Sequence, residues 1–305
     1  MELSLSLSYS RGGTCPSPYQ LNLLLHGAKQ HISWQYTPYL FSPIRKPTKF
    51  SWQQKWHLGI RHSCQKVVSY NKQGIPILEA RSIEEIYDDL GERVLSITRT
   101  MNHFDKKYIV GLAGPPGAGK STLAAEVVQR LNFISYNKDA IAVVLPMDGF
   151  HLYRSQLDAM EDPEEAHARR GAPWTFNPDL LLKCLCSLRS QGWVYAPSFD
   201  HGVGDPVEND IYIGPLHKIV IVEGNYLFLD EGVWKDVCSI FDEKWFIDIN
   251  LDASMQRVLK RHIATGKEPD VAKWRIDYND RPNAELILKS KHKADLIIKS
   301  VNFQS

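Results

Sequence analysis

The residues most clearly able to do chemistry form a glycine-rich run at 114–121, Gly-Pro-Pro-Gly-Ala-Gly-Lys-Ser. The run matches G-x-x-x-x-G-K-[ST] and lies between an apolar segment and a helical one, the context of a phosphate-binding loop. Its glycines let backbone N–H groups turn towards phosphate oxygens, and the helix that follows directs its positive dipole end at them. Lys120 adds a charge for the β- and γ-phosphates, and Ser121 offers a hydroxyl to a metal. We therefore expect ATP and Mg²⁺ as cofactors. The predicted nucleotide-binding residues here are Gly114, Pro115, Pro116, Gly117, Ala118, Gly119, Lys120, Ser121 and Thr122.

Two acidic residues follow other apolar runs. Glu223 follows the β-branched run 219–222, where a Walker-B-type acid would meet the metal or its water shell. Asp148 follows the run 142–147 and could accept the proton of an attacking hydroxyl. An acceptor that is already a phosphate would need arginines there instead. The alternatives are a plain strand-end acid for Glu223, and Mg²⁺ ligation or a turn acid for Asp148.

Strand-like and helix-like segments alternate along the chain. Strands are expected at 107–113, 142–147, 194–196, 218–222, 245–249 and 294–300, and helices at 82–98, 120–131, 178–189, 253–264 and 271–289. Such alternation indicates βαβ units and a mostly parallel sheet. With the phosphate-binding loop, this predicts an α/β fold of the P-loop NTPase type, a three-layer sandwich. Because ligands bind at the carboxyl ends of parallel strands, the loop, Asp148 and Glu223 should share one edge.

The loop and three further segments carry a family resemblance. These are Met-Asp-Gly-Phe at 147–150, Arg-Gly-Ala-Pro-Trp-Thr-Phe at 170–176 and Val-Glu-Gly-Asn at 222–225. Together they resemble the uridine kinase/phosphoribulokinase/bacterial pantothenate kinase family. The stretches 197–200, 205–207 and 279–287 are similar to its nucleoside/nucleotide kinase-like branch. The resemblance covers roughly residues 108–300.

The resemblance implies roles on the acceptor side. Asp148 resembles the family's catalytic base, with Lys120 also catalytic. Phe199 and Asp200 match a Tyr-Asp pair that lines the acceptor pocket of uridine kinases, but the aromatic ring lacks its hydroxyl and the following His and Arg have no clear counterpart. His201 stands nearby, so uridine itself is in doubt. Arg170, with Arg169 before it, could bind an acidic or polyhydroxyl substrate, or the two could be a solvated pair.

The resemblance also implies a small helical lid. Arg257 and Arg261 are four residues apart on one predicted helix and share a face. In the family this stretch resembles the lid over ATP, where guanidinium groups stabilise charge on the phosphoryl oxygens. We expect Arg257 to bind nucleotide and Arg261 to be catalytic. The alternative is a solvated helix face.

The first part of the chain differs from the rest in charge. Residues 3–78 hold nine Lys or Arg and no Asp or Glu, whereas residues 79–305 hold 27 basic and 34 acidic residues. The head is also rich in Ser, which is typical of an organellar transit peptide. We therefore expect residues 1–75 to be a transit peptide or disordered basic segment and 76–305 to be a P-loop kinase domain. Chloroplast is favoured, with mitochondrion as the alternative; a basic tail that contacts nucleic acid is another interpretation.

Composition excludes several other classes. The chain has no run of 18 apolar residues, so no membrane span is expected. Its five Cys are too few and too poorly spaced for a disulfide framework or a zinc site. The expected partner is a small-molecule substrate and not a nucleic acid. A homodimer through a sheet edge or a helix face is compatible with the sequence, which does not determine the oligomeric state.

Three functional hypotheses follow. The first is an ATP-dependent kinase that phosphorylates a hydroxyl of a small metabolite of nucleoside, pantothenate or sugar type. The second is a P-loop NTPase that acts as a regulatory switch, which would need a water-positioning residue in place of Asp148. The third is a binding protein without catalysis. Lys120, Ser121, Asp148 and Glu223 are all present, which favours the first.

Overall fold

The computed structural model describes residues 67–100, 106–134 and 140–300. These residues form a seven-stranded sheet with helices on both faces, together with a separate two-stranded sheet. The strands are β1 (Val67–Tyr70), β2 (Pro76–Glu79), β3 (Tyr108–Ala113), β4 (Ala142–Pro146), β5 (Val194–Asp200), β6 (Asp205–Ile213), β7 (Ile219–Gly224), β8 (Glu243–Asp248) and β9 (Leu296–Lys299). The helices are α1 (Ile83–Thr100), α2 (Lys120–Ile134), α3 (Arg154–Asp158), α4 (Pro163–Ala168), α5 (Pro178–Ser190), α6 (Gly232–Ile240), α7 (Leu251–Ala264), α8 (Pro269–Arg275) and α9 (Arg281–Lys289). The predicted three-layer α/β fold is confirmed.

The main sheet has the order β1-β2-β9-β8-β3-β7-β4, and every neighbouring pair except β1–β2 is parallel. Strands β3 and β7 are buried along their whole length. Their near-continuous apolar sequences suit strands that are covered on both faces. One face packs against α1 and α2 through residues such as Leu90 and Val127, and the other against α5 and α6 through residues such as Leu185 and Val237.

This topology brings the three predicted functional segments to one edge. The glycine-rich loop follows β3, and Asp148 and Glu223 stand at the ends of β4 and β7. The register pairs Leu112 with Glu223 and Pro146 with Glu223. Because all three strands are parallel, their carboxyl ends lie side by side.

Several elements differ from the sequence expectation. The hairpin of β1 and β2 spans the expected boundary between residues 75 and 76, so the described fold begins at Val67. The transit-peptide prediction otherwise falls on residues outside the described ones. Strand β5 is longer than expected and pairs with the unforeseen β6, whose residues are largely exposed and polar and therefore carry little apolar signal.

The helix expected at 271–289 is interrupted. It consists of α8, a π-helical turn at Ile276–Asp280 and α9. Pro282 lies in the first turn of α9. Because proline has no N–H to donate to the preceding turn, the ladder is broken there, and single π turns are one way to absorb such a break.

Within the residues that the structure describes, no helix is both long enough and apolar enough to cross a membrane.

Candidate active site

The glycine-rich loop is held against α7. Gly117 has φ +77°, and a Cβ there would lie 2.7 Å from the Ser254 carbonyl oxygen, so both backbone conformation and space require glycine. The Ser254 hydroxyl donates to the Pro116 carbonyl, and Arg257 Nη1 donates to the Gly117 carbonyl at 3.3 Å. Arg257, predicted to bind nucleotide, therefore lies against the loop. The residues of α7 fix the loop's shape before any phosphate is bound.

Lys120 lies at the centre of the loop. Its Nζ donates to the carbonyls of Gly114 and Pro115 at 2.9 and 3.1 Å, and to Asn225 Oδ1 at 2.7 Å. Burial lowers the Lys120 pKa, and the carboxylates of Glu223 and Asp148 oppose that shift. Asn225 was missed as a functional residue by sequence reasoning. Its position two residues after Glu223, just past the end of a strand, was the available signal.

Ser121 and Glu223, the predicted metal ligands, lie together. Ser121 Oγ donates to Glu223 Oε1 at 3.0 Å. Glu223 is buried, which raises its pKa, while the Lys120 ammonium lowers it and the Asp148 charge adds to the rise. A hydroxyl and a carboxylate are oxygen donors of the kind that Mg²⁺ takes, so the pair fits such an ion. Among the described residues, no group of three or more His, Cys, Asp or Glu is placed to hold a metal.

Asp148 stands in a 3₁₀ turn, Met147–Phe150, directly after β4. It is half-buried, and no described residue makes a hydrogen bond to its carboxylate. Its charge raises the pKa values of both Lys120 and Glu223, and Glu223 lies at the end of the neighbouring strand. Gly149 seats the turn on β5: a Cβ there would lie 2.7 Å from the Pro197 carbonyl carbon.

An aromatic and cationic cluster forms around His151, three residues after Asp148. His151 stacks on Phe176 with ring centroids 3.8 Å apart and lies 4.9 Å from Phe199. Arg170 covers the Phe199 ring at 5.7 Å, and His201 meets its edge at 5.1 Å. The predicted substrate residues Arg170, Phe199 and His201 are therefore brought together.

The electrostatics of His151 link this cluster to Asp148. Burial lowers the His151 pKa to about 4; the Asp148 charge raises it, and Arg170 and His201 lower it. His151 has an Nδ1 atom that is buried without a hydrogen-bond partner among the described residues. It therefore stays neutral near pH 7 and joins the predicted base to the predicted substrate residues.

Asp200 has a different position from the other three predicted substrate residues. Its carboxylate accepts hydrogen bonds from the backbone N–H groups of Gly202 and Val203 at 2.7 and 3.1 Å. These bonds shape the turn between β5 and β6, as short acidic side chains commonly do. Asp200 therefore shapes the loop that carries His201; that it lines the acceptor pocket stays a prediction.

The predicted lid is represented by α7, α8 and the π turn. Arg261 is exposed, and its charge contributes to lowering the Lys120 pKa. His262 contacts Asp280 of the π turn at 2.8 Å, and Arg169 Nη1 donates to the Tyr278 carbonyl at 2.9 Å. Arg169 thus ties the 169–171 segment to the π turn, while Arg170 faces the aromatic cluster.

A cavity of about 120 Å³ lies beside the glycine-rich loop. Gly119 and Thr122 form its loop side, Arg257 covers it from α7, and Tyr87 and Ser300 come from α1 and the end of β9. The cavity adjoins the loop at the start of α2. It could hold the part of a nucleotide that lies beyond the phosphates.

Comparison with known proteins places this geometry in context. A sequence profile of the Phosphoribulokinase / Uridine kinase family matches residues 109–305. The protein named "Putative uridine kinase C227.14" from Schizosaccharomyces pombe is 35% identical over 223 residues, which cover 72% of this chain and 92% of that protein.

Solved structures are similar over most of their own length. The "putative fructose transport system kinase" from Silicibacter sp. TM1040 has a TM-score of 0.61 and 31% identity, covering 69% of this chain and 98% of that one. The structure of YFH7 from Saccharomyces cerevisiae has a TM-score of 0.62 and 24% sequence identity. The match covers 71% of this chain and 99% of the YFH7 chain, and at this identity it shows a similar fold alone.

Proposed function

The chain belongs to the Phosphoribulokinase / Uridine kinase family, and from that premise we propose that it transfers the γ-phosphate of ATP to a hydroxyl of a small metabolite. The observation that carries the proposal is the position of Asp148. Asp148 directly follows β4, beside the end of β7 that carries Glu223, and its charge acts on Lys120, Glu223 and His151. A carboxylate within electrostatic reach of both the phosphate-binding loop and the aromatic cluster suits a base that serves an acceptor hydroxyl.

The proposed reaction is one in-line displacement. The acceptor hydroxyl oxygen forms a bond to the γ-phosphorus as the bond from that phosphorus to the β–γ bridging oxygen breaks. The hydroxyl proton passes to the Asp148 carboxylate, and ADP leaves. Lys120, which now donates to three protein oxygens, would turn its N–H groups to the β- and γ-phosphates. Arg261, on the exposed side of α7, would add charge to the transferred group.

Ser121 and Glu223 are the residues proposed to hold Mg²⁺. Bound there, the ion would neutralise charge on the β- and γ-phosphates during transfer. The 3.0 Å contact between the two side chains keeps their oxygens on the same side of the loop. The cavity lined by Tyr87, Thr122 and Arg257 is proposed to take the nucleoside part of ATP.

Nucleoside, sugar and pantothenate-type acceptors are all compatible with the family. The half-buried Phe199 ring could pack on the apolar face of an acceptor, but it has no hydroxyl to donate to one. A site with fewer directional groups discriminates less by hydrogen bonding. Arg170 and His201, the polar residues proposed to bind the acceptor, lie at the rim of that ring.

The alternative function is a regulatory P-loop NTPase. Such a protein would hydrolyse ATP with no acceptor and would depend on a residue that positions water. The kinase is favoured because the residues predicted to bind an acceptor, Arg170, Phe199 and His201, form one cluster with His151 near Asp148.

The test is ADP release by the full chain with a panel of hydroxylated metabolites. Asp148→Asn should lower acceptor-dependent turnover by about 10²–10⁴-fold, with the Kd for the non-hydrolysable analogue AMP-PNP within a few fold of wild type. Asp158→Asn is the matched control, since Asp158 is an exposed acid on α3. Acceptor-independent hydrolysis that is equal in wild type and Asp148→Asn would refute the kinase and favour the switch.

A further inference from the structure

The tip of the β5–β6 hairpin carries an open position between two arginines. Gly204 has φ +81° and no side chain. A Cβ at this residue would lie 3.6 Å from Arg154 Nη1 and 3.9 Å from Arg170 Nη1, and apart from chain neighbours no other described atom lies within 4 Å of it. The two Nη1 atoms are therefore no more than about 7.5 Å apart, the sum of those distances. A small group placed beside Gly204 would meet two guanidinium donors and little else.

One carboxylate holds both arginines in place. Asp205 Oδ1 accepts from the Arg154 backbone N–H at 2.8 Å and from Arg170 Nη2 at 3.2 Å. Arg170 Nη2 also donates to the Leu152 carbonyl at 2.9 Å. The described residues provide no acceptor for Arg170 Nη1, and Arg154 Nη1 has only the Val203 carbonyl at 3.4 Å. Two positive groups thus lie beside one space; Asp205 contacts both arginines, and the Asp200 carboxylate lies on the same turn, where it accepts from the N–H groups of Gly202 and Val203.

The two guanidinium groups offer more N–H donors than the described residues accept. Guanidinium groups at this separation repel each other, and the repulsion is relieved when an anion binds between them. Arginine is the side chain best suited to oxyanions because its planar N–H groups match carboxylate and phosphate oxygens. The absence of a side chain at Gly204 keeps the space between the two guanidiniums open.

The open position is connected to the proposed acceptor pocket. Arg170 also covers the Phe199 ring, which contacts His151 on one side and His201 on the other. His151 follows Asp148 by three residues and lies within reach of its charge. One guanidinium therefore borders both the space beside Gly204 and the aromatic floor that leads to the proposed base.

We propose that Arg154 and Arg170 form an oxyanion site beside Gly204 for the acceptor, whose hydroxyl lies at Asp148. The acceptor class is then a hydroxylated metabolite that carries a phosphate ester or a carboxylate, and not a neutral nucleoside or free sugar. The assignment of the site to the acceptor rests on the proposed function. The existence of an anion site at Gly204 does not.

The first experiment measures the anion site without catalysis. AMP-PNP and Mg²⁺ saturate the phosphate-binding loop of the full chain, and inorganic phosphate is then titrated by calorimetry. Wild type should bind phosphate, and Arg154→Gln should weaken that binding about tenfold or more, the effect of one charge-assisted hydrogen bond. Arg154 is exposed, so the variant should fold, and an unchanged AMP-PNP affinity verifies this. Arg81→Gln, another exposed arginine, is the matched control.

A second variant fills the space instead of removing a charge. Gly204→Asn is compatible with a positive φ, and its side chain would enter the space between the two guanidiniums. Phosphate binding should fall at least as much as in Arg154→Gln. Phosphate binding that is absent in wild type, or equal in wild type and both variants, would overturn the site.

The third measurement identifies the acceptor class. Matched acceptors are compared for kcat/KM: a polyol, the same polyol as a phosphate ester, and the same polyol oxidised to a carboxylic acid. One of the two anionic forms should be preferred, and Arg154→Gln should lower its kcat/KM about tenfold while leaving the neutral form unchanged. Preference for the neutral acceptor, insensitive to Arg154→Gln, would overturn the inference and leave the kinase proposal intact. Phosphate binding that depends on Arg154, without transfer to any acceptor, would retain the anion site and remove the kinase proposal.

Discussion

The close approach of Gly149 to β5 gives a prediction whose size can be worked from the structure. A Cβ at Gly149 would meet the Pro197 carbonyl oxygen first and would also lie 2.7 Å from the carbonyl carbon, whereas ordinary contacts lie at 3.4–4 Å. The turn that carries Asp148 and strand β5 must therefore separate by at least 0.7 Å, the difference between 3.4 and 2.7 Å. Because the obstacle is backbone, it cannot rotate away.

Gly149→Ala should therefore affect both stability and turnover. Inserting a methyl group into a packed contact costs about 1–3 kcal/mol, which in a domain of this size lowers Tm by roughly 3–10 °C. A displacement of this size at the base should lower kcat by about ten- to a hundredfold, since a shift near 1 Å costs about 10² in rate. AMP-PNP affinity should change little, because the phosphate-binding loop is anchored by α7 and not by β5.

Thermal unfolding, AMP-PNP binding and acceptor-dependent ADP release are the three measurements. Gly91→Ala is the matched control: it makes the same chemical change inside α1, where the new Cβ would meet only Arg130 Cβ at 3.8 Å. That variant should be more stable by about 0.5–1 kcal/mol, since glycine is unfavourable inside a helix. If Gly149→Ala retained the Tm and kcat of wild type, the close packing of the Asp148 turn on β5 would be refuted.

Three further predictions concern charge and targeting. Burial lowers the His151 pKa from 6.5 to about 4. Between those pH values the unfolded chain binds the proton and the folded chain does not, so the free energy of unfolding should fall by about 2–3 kcal/mol as the pH drops from 6.5 to 4. His151→Phe should remove this loss when urea unfolding at pH 7 is compared with urea unfolding at pH 4.5. Arg261→Ala should lower kcat about a thousandfold, whereas Lys260→Ala, its exposed neighbour on α7, should leave kcat within a few fold of wild type; equal rates in the two variants would exclude a catalytic role for Arg261. Residues 1–75 fused to a fluorescent protein should direct it to chloroplasts, and import into mitochondria or a diffuse signal would contradict that expectation.

The donor half of the site could be predicted because its chemistry is local in sequence. The eight consecutive residues 114–121 supply the glycines that shape the loop, the charge of Lys120 and the hydroxyl of Ser121. Glu223 ends a run of β-branched residues that is buried throughout, so its position in the sheet followed from strand periodicity. Parallel topology then required these segments to meet, and the structure places Ser121 and Glu223 3.0 Å apart.

The acceptor half could not be predicted to the same depth because long-range packing forms it. Strand β6 is exposed and polar along most of its length, so nothing in its pattern marked it as a strand. Because the β5–β6 hairpin was not predicted, neither the role of Asp200 in its turn nor the position of Gly204 beside Arg154 and Arg170 could be predicted. The helix expected at 271–289 likewise contains a break at Pro282 whose π turn receives contacts from Arg169 and His262.

This division has a consequence for how the protein chooses its acceptor. The loop that would hold ATP is supported by buried contacts from α7, whereas the groups that would hold the acceptor lie on a two-stranded hairpin, a short turn and the segment before Gly171. These segments meet through a few contacts, such as Gly149 with Pro197 and Arg170 with Asp205. A substitution at the hairpin can therefore alter the charge facing Phe199 while leaving Lys120 and its three oxygen partners in place. Acceptor preference should consequently be separable from ATP binding, and Arg154 is the position where a single change tests this because it contacts the hairpin and no part of the phosphate-binding loop.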